Sequence, residues 1–392
     1  MGVVAIVLFL FYFGQMSEIL RRKIDENRRK ARGARSNASG RYEPLREEVQ
    51  DGWDIPEDLA AFVTEVSEER PRSVISRNTS PDIPFDRSLN PYRGCEHGCT
   101  YCFARPTHAY LGLSPGLDFE SKLVARPKAA AVLEKELQRK SYQPGVLAIG
   151  TNTDPYQPIE RRYRVMRSVL EVLQRYNHPV AITTKGTLVE RDIDILSDMA
   201  AKGLAQVGIS LTTMDVALSR AMEPRCPLPN RRLEIIRRLT EAGIPVRVML
   251  APVVPGLTDH EVEALLEAAS EAGATGMAWI MLRLPMEVAP LFEEWLEAAY
   301  PGRAAKVLTR MREMHGGELY HAEFNKRMRG EGIYAEMIAQ RVEKARVRFG
   351  FDTEMPKLRC DLFEVPLARD GQLALFYRLC PVAAGCLPSV LV

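Results

Sequence analysis

At 392 residues, 46% hydrophobic and 27% charged, the chain has the balance of a globular protein with a full core, which excludes disordered and fibrous classes. A net charge of +2 points to no particular partner by itself. Seven cysteines in so long a chain exclude a disulfide-stapled small fold and fit a reducing compartment, so the expected location is cytoplasmic.

Residues 1–17 carry no charge and residues 3–13 are strongly apolar. That run is shorter than the ~20 residues a membrane-spanning helix needs. It has no basic segment before it and no A-x-A cleavage site after it, so it does not read as a signal peptide. No stable membrane association is expected, and Met16 marks a plausible true start. Residues 17–42 hold nine Lys or Arg against three acids and read as a mobile basic arm. Such an arm can neutralise phosphates of a nucleic acid or can simply be solvated. Residues 43–85 read as a lead-in that packs onto the core.

Short apolar runs alternating with amphipathic helices begin at about residue 86. Strands are predicted at 88–91, 146–149, 179–184, 206–211, 245–251 and 276–282. Helices are predicted at 126–140, 158–175, 190–202, 230–242 and 258–272, with another starting near 287. In 158–175, for example, Met166, Val169, Leu170 and Leu173 fall on one helical stripe. Strands alternating with helices of this length imply βαβ units and a parallel sheet. The expected organisation is an α/β core over 86–300, a mostly helical, basic extension over 301–376, and a tail over 377–392.

Between the first strand and the first helix lies Cys95-Glu-His-Gly-Cys99-Thr-Tyr-Cys102, a C-x3-C-x2-C cluster. Three thiols within eight residues converge only where a metal or an iron–sulfur cluster holds them. A closed zinc site would need a fourth ligand, and His97 sits awkwardly inside the first gap for that role. In parallel α/β folds the working groups lie on loops at the carboxyl ends of strands, where this cluster falls. The other strand ends are polar or turn-forming: 150–160, Thr183 to Gly186, Ser210 with Thr212 and Thr213, 251–259, and 282–285.

The motifs N-P-Y-x-G-C-x-x-x-C-x-Y-C, T-D-P-Y-Q-P-I-E, T-K-x-x-L-V-x-R-D and R-L-P together resemble the radical S-adenosylmethionine (SAM) superfamily, in the uncharacterised branch related to spore photoproduct lyase. The resemblance spans roughly residues 36–376. It implies a partial (β/α)6 TIM-like barrel in which Cys95, Cys99 and Cys102 hold three irons of a [4Fe–4S] cluster. The open fourth iron would chelate SAM. Reductive cleavage would then give a 5′-deoxyadenosyl radical that abstracts hydrogen from a substrate.

By the same resemblance Thr153, Asp154, Lys185 and Ser210 contact SAM, with Lys185 on its carboxylate, and Tyr101 flanks adenine or substrate. A reductant such as flavodoxin or ferredoxin is the implied partner. The lyase carries a hydrogen-returning cysteine where this chain has Asn152, so repair by the lyase's own mechanism is not expected. Cys226, in a loop after the fourth core strand, is the candidate substitute donor. The basic segments lean toward a nucleic-acid substrate. The alternative reading is a non-catalytic iron–sulfur or zinc protein that binds nucleic acid.

Overall fold

The computed structural model describes residues 31–42 and 62–366. The expectations for the apolar start, for the basic run before residue 31, for 43–61 and for the tail over 377–392 lie outside the described residues. In chain order the strands are β1 (Glu65–Glu68), β2 (Ser76–Arg77), β3 (Arg87–Leu89), β4 (Tyr92–Arg93), β5 (Lys122–Ala125), β6 (Leu147–Ile149), β7 (Val180–Thr184), β8 (Ala205–Ser210), β9 (Val246–Val253) and β10 (Gly276–Met281).

Six of them, β3 and β6 to β10, run parallel, each hydrogen-bonded to its successor in the chain. Strand order that follows sequence order means that every crossover steps the same way. Right-handed crossovers then place the helices on one face, and the twisted sheet curls toward a barrel. The helix Val165–Arg175 packs between Ala129–Leu137 and Ile193–Ala201, and Pro229–Glu241 packs against Val262–Glu271. The sheet ends at β10 on one side and at the antiparallel β2 on the other, so the barrel is partial. Strands such as β6 and β8 are buried along nearly their whole length, as expected of a sheet with both faces covered.

A second, three-stranded sheet joins β1, β5 and β4. It carries the entrance to the cysteine loop, because β4 is the stretch just before Gly94 and Cys95. None of β1, β2, β4 and β5 is long enough to show a period, and none is legible in the sequence.

Several local details differ from expectation. The predicted helix 158–175 is two helices, Glu160–Tyr163 and Val165–Arg175, broken at Arg164 with φ +51°. Buried Glu160 explains the break: its carboxylate oxygens accept from Met166 N at 3.2 Å and so start the second helix afresh. The predicted helix 190–202 opens as a 3-10 turn, Thr187–Asp192, before Ile193–Ala201. The helix Val216–Met222 was not anticipated, although Asp215 caps it by accepting from Ala217 N and Leu218 N at 2.8 and 3.0 Å.

The described end of the basic arm is docked onto the cysteine-loop region. Arg32 donates to the Glu120 carbonyl, and Gly33 N and Ala34 N donate to the Glu120 carboxylate at 2.8 Å each. A Cβ at Gly33 would stand 1.8 Å from the carbonyl oxygen of Gly98, so only glycine lets this strap lie against the cysteine loop.

The extension forms Pro301–Met314 and Gly332–Arg348. The segment between them covers the open side of the barrel. Met281 N of β10 donates to Met328 O at 2.9 Å, and Arg327 grips Asp82, beside β2, at 2.7 Å through both nitrogens. Much of the extension's basic charge is neutralised locally. Arg310 pairs with Glu313, Arg341 with Glu263 and Arg346 with Glu343. These arginines therefore lend little support to a nucleic-acid partner. Among the described residues no helix is long and apolar enough to cross a membrane.

Candidate functional site

The cysteine loop leaves β4 and is braced from three sides at the carboxyl end of the sheet. From below, the fully buried Arg105 donates to the Cys99 carbonyl at 2.8 and 3.1 Å and to Glu120 at 2.6 Å. Cys95 N donates to Phe119 O at 2.9 Å. From the loop after β6, Gln157 accepts from Glu96 N at 2.9 Å and donates to Gly94 O at 3.1 Å. From beyond β8, Thr100 N donates to Met222 O at 3.0 Å, and Arg225 N donates to His97 O at 3.3 Å. Gly94 and Gly98 sit at φ +73° and +66°, where a Cβ would strike Leu123 and Glu120.

Asp154 ties the loop to β7. One oxygen accepts from Thr184 Oγ1 at 2.6 Å and Tyr156 N at 2.9 Å. The other accepts from Lys185 N at 2.7 Å and faces His97 Nδ1 at 3.3 Å. Burial would raise this carboxyl, but the imidazolium of His97 and the hydrogen bonds hold it down at about 2. Burial likewise opposes charge on His97, yet Asp154 and Cys95 outweigh it and the ring stays protonated well above its ordinary range. Asp154 therefore has both oxygens committed within the protein, and Thr153 spends its hydroxyl on the Tyr92 carbonyl at 2.9 Å. Both residues expected to contact SAM thus also brace the loop.

Glu223 is the second organising acid, and the sequence reading passed it over. Tyr101 Oη and Thr212 Oγ1 donate to it, and it pairs with the fully buried Arg232, which also donates to Ser210 O at 3.1 Å. Burial would raise Glu223, but Arg232 and Lys185 hold it at about 2. Its sequence signal was faint: an acid beside Pro224 in a loop, with its arginine nine residues on in a helix. The Lys185 ammonium stands 5.9 Å from the centre of the Tyr101 ring. Burial would lower Lys185, but Cys99 and Glu223 outweigh it and keep the charge firmly in place.

Cys95 and Cys99 are buried and Cys102 nearly so. Cys226 Sγ lies 3.9 Å from Cys99 Sγ. That contact, with Lys185 and against the cost of burial, brings Cys99 down to about 7, while burial and the neighbouring Cys99 push Cys102 up to about 12. The structure thus brings together Cys95, Cys99, Cys102, Tyr101, Lys185, Ser210 and Cys226 at one end of the sheet.

The donor set fits an iron–sulfur cluster better than a single ion. His97 is turned onto Asp154 and is not available as the fourth ligand of a closed zinc site. Among the described residues no three His, Cys, Asp or Glu side chains converge on one ion position. A cluster places each thiolate on a different iron and so does not need the three sulfurs to meet at one ion.

The chain's similarities agree with this chemistry. A family model described as the radical SAM superfamily matches residues 89–269. An uncharacterised protein of Mycobacterium tuberculosis is 41% identical over 235 residues, covering 59% of this chain and 68% of the relative. An uncharacterised protein of Methanocaldococcus jannaschii is 26% identical over 174 residues, covering 44% of this chain and 62% of the relative. Among solved structures, a spore photoproduct lyase variant aligns over 73% of this chain and 80% of its own, with TM-score 0.51 and 14% identity, a likeness of fold.

Proposed function

The chain belongs to the radical SAM superfamily, and from that premise we propose that it cleaves SAM reductively at a [4Fe–4S] cluster held by Cys95, Cys99 and Cys102. The observation that supports the reading is the three-thiol loop with its one histidine diverted to Asp154, so that the loop itself offers a four-iron cluster three ligands and no fourth. A cluster bound there supplies, with an electron from an external reductant, the 5′-deoxyadenosyl radical that abstracts hydrogen from substrate.

The chain's own residues bind and orient. Lys185 is the cation for the SAM carboxylate: its charge is held by Cys99 and Glu223, and no ion-pair partner lies within 4 Å of it among the described residues. Ser210, buried at the end of β8, lies beside it and contacts SAM. Tyr101 flanks the site with its hydroxyl fixed on Glu223. Thr153 and Asp154 are positioning residues that set the loop's shape. Cys226 is the hydrogen-atom donor: its S–H bond breaks as a C–H bond forms on the product radical, and an electron from the same external donor with a proton from solvent turns the thiyl left behind back into the thiol.

The test is SAM binding in Lys185→Ala. We expect cluster iron content and visible absorbance to match the parent while SAM affinity falls by about tenfold or more, the scale of one charged hydrogen bond. Unchanged SAM affinity would remove Lys185 from the site.

A further inference from the structure

A cleft of about 400 Å³ opens between the loops that follow β6, β7 and β8. Arg161, Arg220 and Arg225 line it, with Cys226, His97 and Tyr156 among the residues deeper in. We propose that this cleft admits a phosphate-bearing substrate, which the three guanidinium groups hold while Cys226 faces its reacting end. The proposal rests on the reading above that chemistry takes place beside Cys99, because Cys226 is one sulfur–sulfur contact from it.

The charge balance carries the inference. No Asp or Glu lines the cleft. Arg225 reaches Glu96 at 3.4 Å, but Arg161 and Arg220 have no ion-pair partner among the described residues. Arg310, Arg341 and Arg346 of the C-terminal helices, by contrast, find carboxylates. Three arginines lining one concavity, two of them without an ion-pair partner among the described residues, focus positive potential there. A multiply charged anion is drawn to that potential, and the planar fork of arginine suits phosphate oxygens. SAM, with its sulfonium and ammonium charges, is the wrong ligand for this surface. The volume lies in the range of small-molecule sites, enough for a phosphate with a sugar or base attached.

The experiment measures binding of three probes to the cluster-loaded, SAM-saturated enzyme under anaerobic conditions. They are uridine, uridine 5′-monophosphate and a fluorescein-labelled single-stranded oligonucleotide. The monophosphate should bind at least about tenfold more tightly than uridine. Arg161→Ala and Arg220→Ala, both at exposed positions, should each lose about tenfold, with Arg220→Lys in between. If the oligonucleotide binds too, its salt slope should fall by about one per arginine removed, which assigns the phosphate to a nucleic-acid backbone. Binding of the monophosphate alone assigns it to a small phosphate ester.

The proposal is overturned if no probe binds, if uridine binds as well as its phosphate, or if the arginine variants bind like the parent. SAM cleavage is scored separately. Normal cleavage without phosphate binding rejects only the cleft. Phosphate binding without cleavage rejects the SAM reading and leaves a phosphate site whose chemistry lies elsewhere.

Discussion

At Asp154 the structure adds contacts that the motif does not record. Its motif marks it as a SAM contact, yet its two oxygens serve Thr184, Tyr156, the Lys185 backbone and His97. Spacing reports which loop a residue sits on but not what its oxygens touch once the loop is folded. Replacing Asp154 with Ala would remove the charge that keeps buried His97 protonated and leave Thr184 Oγ1 and the Tyr156 and Lys185 amides without their acceptor. The expected cost is about 3–5 kcal/mol, read from the denaturant midpoint. A loss below ~1 kcal/mol would show that the loop does not depend on it. Cys95, Cys99, Cys102 and Lys185 were legible because thiols at fixed spacing and a lysine at a strand end stand out in one dimension. Arg105, Glu120, Glu223 and Arg232 were not, because each finds its partner through burial that no local pattern records.

At the scale of elements, the loops after β6 and β8 brace the cysteine loop from opposite sides. The loop after β8 depends on the buried pair of Glu223 and Arg232. Glu223→Ala would strand Arg232 in a low-dielectric interior and release Tyr101, so we expect destabilisation of about 3–5 kcal/mol by chemical denaturation. The double change Glu223→Leu with Arg232→Met should recover much of that loss, because no bare charge remains buried. A double variant as unstable as the single one would place the cost in lost shape rather than lost charge. The core helices and parallel strands were read to within a few residues, since long periodic segments announce themselves. The break at Arg164 and the short strands of the second sheet were not, because a buried acid and tertiary pairing set them.

The whole molecule is a six-stranded parallel curl closed by its C-terminal extension, with the Asp82–Arg327 clasp joining the two sheet edges. Two buried histidines give it a pH dependence. Burial holds His178 and His108 at about 4, where a free imidazole titrates near 6.5. The unfolded chain therefore takes up protons that the native state refuses. Their contribution is complete above about pH 6.5 and is lost as pH falls toward 4. His178 alone accounts for roughly 3 kcal/mol across that window. In His178→Gln the fall in stability between pH 6.5 and 4 should shrink by roughly 3 kcal/mol, with His108 and the other buried titratable groups setting what remains. An unchanged slope would assign the acid sensitivity elsewhere.

The central claim is that the three-thiol loop supports reductive SAM cleavage. The direct measurement is anaerobic reconstitution with iron and sulfide, reduction by dithionite in the presence of SAM, and chromatography for 5′-deoxyadenosine. We predict that 5′-deoxyadenosine forms in the parent protein and is absent in Cys99→Ala. An intact four-iron cluster that never cleaves SAM, with or without phosphate-bearing substrates, would contradict the account.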